Sequence, residues 1–226
     1  MGKLEIQSLF RQHSKTANIS IIEGNKGLYD GLDLDGSNSN AAMATTLDIP
    51  VVLVLDARGM TRGIAPLVLG YQSFETSIRI KGVILNNVGG NRHEAKLRAI
   101  LEHYTDVKVI GSVHRHPQLC IDERHLGLVP SNEAVKSLEK IAIISTHINN
   151  SVDLESLLTL SETPAESTDI SVAELKLNNQ PPVRIGVAQD SAFGFYYPDD
   201  LQSFIEQGAE LVYINTLNDT QLPAID

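Results

Sequence analysis

Short runs dominated by isoleucine and valine recur along the first half of the chain. They are "NISIIE" ending at Glu23, "PVVLVLD" ending at Asp56, "IKGVILN" ending at Asn86 and "VKVIGSV" ending at Val113. Each is apolar almost throughout instead of alternating, which is the pattern of strands buried on both faces of a parallel sheet. Helical patterns separate them. "SNSNAAMATTL" opens on the cap-type residues Ser37 and Asn38. "TRGIAPLVLGYQSF" carries Pro66 early, a residue that a helix accepts only in its first turn. "RHEAKLRAILEHY" puts Ala95, Leu97, Ile100 and Leu101 on one apolar stripe. Strands alternating with helices predict a doubly wound α/β domain with a mostly parallel sheet.

Two more helical stretches follow, "NEAVKSLEKIAIISTHI" and "SVDLESLLTLS". Next comes "ETPAESTDISVAELKLNNQPP", rich in Pro, Ser, Thr, Asn and acids, the composition of an interdomain linker. After it, "VRIGVAQD" reads as a buried strand, "PDDLQSFIEQG" as a helix from Pro198 to Gly208, and "AELVYIN" as another strand. The expected organisation is a first domain over 1–162, a linker over 163–182 and the start of a second α/β unit over 183–226. One strand, one helix and one strand are too few to bury a core alone.

Composition narrows the function classes. The net charge of −10 and pI near 5.1 argue against a broad nucleic-acid surface, which needs a basic face. A local phosphate or carboxylate site remains compatible with that charge. One cysteine, Cys120, permits no intrachain disulfide and fits a reducing, cytoplasmic compartment. No stretch has the apolar length of a signal peptide or a membrane span. Cys and His are not spaced for a structural zinc site, and "HRH" at His114–His116 reads as a solvated turn in preference to a metal site.

In open α/β sheets, ligands bind at the carboxyl ends of the strands. Glu23, Asp56 and Asn86 each close a predicted strand, which would put two carboxylates and an amide on one rim. A strand-end carboxylate can hold Mg²⁺ that shares its shell with nucleotide phosphates. An asparagine amide can pair with an adenine edge. The competing reading is that polar residues end strands because the chain meets water there. "EGNKGLYDG" adds Gly24, Gly27 and Gly31 for sharp turns, Lys26 for an anion, and Tyr29, Asp30 and Asp33 to orient a substrate. Its competing reading is a solvated Asp-Gly turn.

Five segments then carry a specific resemblance. "IIEGNKGLYDGLDLDGSNSNAAMA", "PVVLVLDARGMTRGIAPLVLGYQSF", "IKGVILNNVGGNRHEAKL", "ERHLGLVPSNE" and "VRIGVAQDSAFGFYYPDDLQSFIEQGAELVYI" occur in an order that resembles the cobyrinic acid a,c-diamide synthase family. The resemblance implies a first domain like dethiobiotin synthetase and a second domain of class I glutamine amidotransferase type. It implies ATP and Mg²⁺, a tetrapyrrole carboxylate substrate activated as an acyl phosphate, and ammonia from glutamine. A homodimer is compatible with it; nucleic-acid and membrane partners are not expected. By the same resemblance Glu23 is a Mg²⁺ ligand near the γ-phosphate, Asp56 is a second acid near the nucleotide, and Asn86 contacts adenine. Lys26, Tyr29, Asp30 and Gly31 lie on the substrate side. Arg124 and His125 match "ERHLGL", where a hydrogen-bonded, buried His125 is the structural expectation.

Asn25 and Lys26 depart from the commoner "EGVMGLYDG", and Asn87 from "ILNRV". "EGNKGLYDGLDLDGSNSN" is nearer to the siroheme-amidating branch, which bears on the macrocycle and not on the reaction type. The family's phosphate-binding loop and "GPD" segment would precede residue 1, and its glutaminase Cys and His would follow residue 226. The expectation is therefore an internal fragment of a two-domain ligase, inactive alone, with Cys120 excluded as the nucleophile. Cobyric acid synthase, dethiobiotin synthetase and a non-catalytic remnant that binds a partner or tetrapyrrole are the alternatives.

Overall fold

The computed structural model describes residues 2–121, 134–161 and 182–226. The chain divides into two compact units, the described parts of Met1–Leu119 with Ile144–Ala165, and of Cys120–Ile143 with Glu166–Asp226. The expected linker lies, all but its last residue, outside the described residues, as do Arg124 and His125.

The first unit is built on three parallel strands in the order β1 (Val51–Asp56), β2 (Ile80–Val88) and β3 (Lys108–His114). The helix α1 (Lys3–Ser14) precedes α2 (Asn40–Leu47); α3 (Ile64–Phe74) joins β1 to β2 and α4 (Asn91–Tyr104) joins β2 to β3. The C-terminal part of α5 (Ala134–Ser151) and α6 (Leu154–Ser161) follow. The core packs Leu53, Leu55, Val83 and Leu85 of the sheet against Ile64, Val68, Leu97 and Leu101 of the two crossover helices. Fully burying each such side chain stabilises by about 1.5–3 kcal/mol, before the entropy of ordering it is subtracted. Among the described residues no helix is long and apolar enough to cross a membrane.

Four sequence expectations need correction. "NISIIE" is not a strand: residues 18–23 pair with no strand among the described residues, and Ile21 is 78% exposed. Propensity supplies an extended chain, but only a neighbouring strand can satisfy its backbone groups. β1 is not covered on both faces, since Leu53 and Leu55 are buried while Val54 between them is 63% exposed. The stripe of α4 runs through Leu97 and Leu101, with Ala95 exposed. The cap of α2 is Ser39, whose Oγ accepts from the Ala42 N–H at 3.1 Å; Ser37 and Asn38 bond the preceding loop instead. The helix α1 had no counterpart in the sequence reading. It buries no residue, and Gln7 Nε2 reaches the Thr46 carbonyl at 2.7 Å.

The second unit contains two parallel strands, β4 (Arg184–Ala188) and β5 (Glu210–Ile214), joined through α7 (Pro198–Glu206). Pro198 opens the helix with Asp199 and Asp200 in its first turn, where acids complement the helix dipole. Among the described residues of this unit only Val187 is buried. That agrees with a strand–helix–strand piece having too little apolar surface for a core of its own.

Candidate functional site

The loop before α2 is held to the core at one point. Leu28 is buried in the core cluster, and its carbonyl accepts from the Ala41 N–H at 2.8 Å. Next to it Tyr29 is half-buried. Its ring lies 5.7 Å from Tyr71 and 4.8 Å from Phe74, and its hydroxyl donates to the Tyr71 carbonyl at 2.6 Å. Burial, and then the charge of Glu75, push the Tyr29 phenol above its ordinary value, so it stays a donor. Asp30 is exposed, with its N–H on the Gly27 carbonyl at 3.1 Å. Lys26 is exposed, and its carbonyl accepts from Asn40 Nδ2 at 3.0 Å.

None of Gly24, Gly27 and Gly31 has positive φ, although the Gly27 carbonyl closes a turn with the Asp30 N–H. They make room. A Cβ on Gly31 would strike Asn38 Oδ1, the oxygen that accepts from the N–H groups of Leu32 at 2.8 Å and Asp33 at 3.3 Å. Asn38 Nδ2 in turn donates to Asp33 Oδ2 at 2.9 Å. Asp33 therefore braces the loop through Oδ2. The segment lines an open hollow of about 470 Å³ between Tyr29, Gly31, Leu34 and Phe74.

Asp56 ends β1 and stands directly beside Asn86 in the parallel register. Its carboxylate accepts from the Arg58 N–H at 3.0 Å and pairs with the Arg58 guanidinium at 2.5 Å. Those hydrogen bonds, side chain first, hold the Asp56 carboxyl below its ordinary value. Asn86 lies two residues inside β2. Its Oδ1 accepts from the Asn87 N–H at 2.9 Å, across a register irregularity where Asn87 is left-handed at φ 58°. Asparagine tolerates that conformation better than most side chains.

The predicted residues thus reach three different situations. Asp56 and Asn86 are neighbours on the rim of the sheet. Tyr29 and Gly31 belong to the loop. Glu23 ends no strand; it is exposed in an irregular segment. Among the described residues no group of three or more His, Cys, Asp or Glu side chains is placed to hold a metal. A Mg²⁺ ion held through one or two carboxylates, water and phosphates needs no such group.

His93 was missed by the sequence reading. Its Nδ1 accepts from the Gly89 N–H at 3.1 Å and its Nε2 reaches the Met60 carbonyl at 2.7 Å, tying the loop after β2 to the loop after β1. "HRH" is a solvated turn only in part: Arg115 and His116 are exposed, while His114 is the last residue of β3 and meets Glu94 at 2.8 Å, and the His116 ring lies tilted, 4.6 Å from that of His147.

Residues 3–121 match the family model described as AAA domain. The chain belongs to that family. Over all of its length it is also a relative of curated proteins named cobyrinate a,c-diamide synthase. It is 38% identical to that of Magnetococcus marinus, the match covering 100% of this chain and 50% of the relative. It is 37% identical to that of Methanococcus maripaludis, covering 100% and 52%. It is 40% identical to that of Methanosarcina acetivorans, covering 100% and 47%. These relatives bear out the resemblance carried by the motifs, and the chain spans about half their length. No solved structure matches it.

Proposed function

We propose that this chain is the nucleotide- and substrate-binding part of an ATP- and glutamine-dependent ligase that amidates acetate carboxylates of a tetrapyrrole. The observation that carries the reading is similarity along the whole chain to proteins named cobyrinate a,c-diamide synthase. The AAA domain match and the open end of a parallel sheet support the nucleotide half of it. In this reading the first unit is dethiobiotin synthetase-like. The second unit, a parallel strand–helix–strand, is the start of an amidotransferase-like domain, and the boundaries are 1–162, 163–182 and 183–226.

The roles follow from chemistry. Asn86 offers the adenine edge an amide donor and acceptor, Oδ1 already being shared with Asn87. Glu23 and Asp56 are the Mg²⁺ ligands of the proposal, and Asp56 must release or share Arg58 to serve. The metal would neutralise phosphate charge as the γ-phosphoryl group passes to the substrate carboxylate. Ammonia derived from glutamine then displaces phosphate from the acyl phosphate to give the amide. The chain contributes position and charge more than covalent chemistry. Tyr29 acts through its ring and its place in the loop, since its hydroxyl is committed to Tyr71. Lys26, exposed and cationic, faces the incoming carboxylates, and with Asn25 it tilts substrate choice toward siroheme-type macrocycles.

Calorimetric titration with Mg²⁺·ADP tests the first half of this. Binding should be lost or weakened at least ten-fold in Asp56→Ala and Asn86→Ala, a loss of about 1.4 kcal/mol or more. Unchanged affinity in both variants sinks the site. For the second half, a protein of the relatives' length carrying this chain should convert cobyrinate or a siroheme-type tetrapyrrole to amides with ATP and glutamine. Glu23→Ala should abolish that conversion.

A further inference from the structure

A second cavity of about 450 Å³ opens beside β3, and its lining contains none of the residues assigned above to nucleotide or substrate. It exists because α5 ends very close to the sheet. A Cβ on Gly111 would come within 2.9 Å of Val152 Cγ2 and 3.3 Å of the Ser151 carbonyl. Gly111 and Val152 form an isolated bridge, and the Asp153 N–H donates to the Ile110 carbonyl at 2.7 Å. The end of α5, Ser112 and His114 of β3, and Glu94 and Arg98 of α4 all line the cavity.

Ser112 is only 5% exposed, and its Oγ makes no hydrogen bond. A buried hydroxyl without a partner costs roughly 1–3 kcal/mol, and a change of χ1 rotamer would turn the Ser112 Oγ, which is closed off from solvent, toward a ligand in the cavity that Ser112 lines.

The other polar atoms define what that is. Both Glu94 oxygens are taken, one by Arg98 Nε at 2.8 Å and the other by His114 Nε2 at 2.8 Å. Arg98 cancels the carboxylate's charge and gives a further N–H to the Val109 carbonyl at 3.1 Å, which uses two of its five donors. His116 accepts the Gln118 N–H at Nδ1, so its neutral ring carries the proton on Nε2. Its ring lies 4.6 Å from that of His147. His114 donates to the carboxylate through Nε2, which leaves Nδ1 as an acceptor. The donors left over are the Ser112 hydroxyl, the remaining Arg98 N–H groups, the Asn150 amide and an N–H each from the His116 and His147 imidazoles. Among the described lining residues no free carboxylate remains.

We propose that this cavity binds the oxyanion of a small ligand, a phosphate or a carboxylate, with Ser112 and Arg98 as donors and His147 and His116 as its imidazole wall. The volume exceeds that of a bare anion and accommodates the small organic body carrying it.

Imidazole resonances of the 226-residue chain, followed by NMR during titration at constant ionic strength, test this with two probes, inorganic phosphate and acetate. Saturable shifts of His147 and His116 with a millimolar or tighter dissociation constant are expected for at least one probe, and the one that binds tells phosphate from carboxylate. Ser112→Ala should weaken that binding on the order of ten-fold, the effect of losing one hydrogen bond to a charged group, while folding as well as the parent or better because the orphan is gone. His147→Asn, which keeps an amide donor, should bind more weakly than the parent and more tightly than His147→Leu. Saturation by neither anion, or equal affinity in Ser112→Ala and His147→Leu, overturns the proposal. Mg²⁺·ADP affinity should be the same in Ser112→Ala and the parent, and anion binding should survive Asp56→Ala, so this site and the nucleotide site can fail separately.

Discussion

His93 Nε2 hydrogen-bonds the Met60 carbonyl at 2.7 Å, from a ring whose Nδ1 already accepts the Gly89 N–H. One side chain on α4 thereby joins the loops that leave β1 and β2, the two strands that carry Asp56 and Asn86. An Nδ1 acceptor leaves the proton on Nε2, so both bonds use the same neutral tautomer. His93→Ala removes both and leaves a part-buried carbonyl without that partner. We expect a loss of about 1–3 kcal/mol in denaturant unfolding, together with weaker Mg²⁺·ADP binding. Unchanged stability would show that the loops are held by other contacts.

Tyr29 separates packing from hydrogen bonding. Tyr29→Phe keeps the ring between Tyr71 and Phe74 and loses only the bond to the Tyr71 carbonyl, so a cost of about 1 kcal/mol is expected. Tyr29→Ala also empties the aromatic contacts and should cost clearly more, on the order of 3 kcal/mol. Equal effects of the two in chemical denaturation would mean that the ring contributes nothing.

Gly31→Ala places a methyl group against the Asn38 amide, which braces three groups of the loop. A destabilisation of about 1–3 kcal/mol follows from the forced displacement. Asn38→Ala removes the obstacle together with the brace. The double variant should then be less destabilised than the sum of the single ones, and thermal denaturation of all four proteins reads that coupling.

Asp190 in the second unit accepts from the Thr216 hydroxyl at 2.6 Å, the Thr216 N–H at 2.7 Å, and the N–H groups of Ala192 and Phe193. The Thr216 hydroxyl foremost, with the backbone N–H groups, holds its carboxyl down to about 2. A carboxyl depressed in the folded state stabilises the fold above its ordinary range, and this contribution fades as pH falls through that range toward about 2. Acid titration followed by the resonances of Thr216 and Phe193 should show their environment holding until pH approaches that value. Asp190→Asn should remove the acid dependence, and an identical acid transition in this variant would exclude Asp190 as its source.

Much of the architecture was legible because it rests on local chemistry. β1, β2, β3, β4 and β5 all fall on runs of β-branched residues, and α7 begins at its proline. Pairs of sequence-distant groups were not legible. "NISIIE" has the composition of a strand yet forms none, because a strand exists only through its neighbour. That Asn38 holds Asp33 Oδ2 and the Tyr71 carbonyl holds the Tyr29 hydroxyl could not be read from their sequence positions. "HRH" reads as a surface turn until α4 brings Glu94 beside His114.

By itself the sequence determined the α/β class, the parallel direction of the strands and the family, because composition, apolar run length and ordered motifs are properties of the linear chain. Tertiary structure alone decided that Glu23 ends no strand, while Asp56 and Asn86 sit side by side in the register. It also decided that Gly31 and Gly111 are there for space, and that Ser112 is left with an unsatisfied hydroxyl. Each of these depends on register or on close approach between residues far apart in sequence, where a shift of a single position exchanges one neighbour for another.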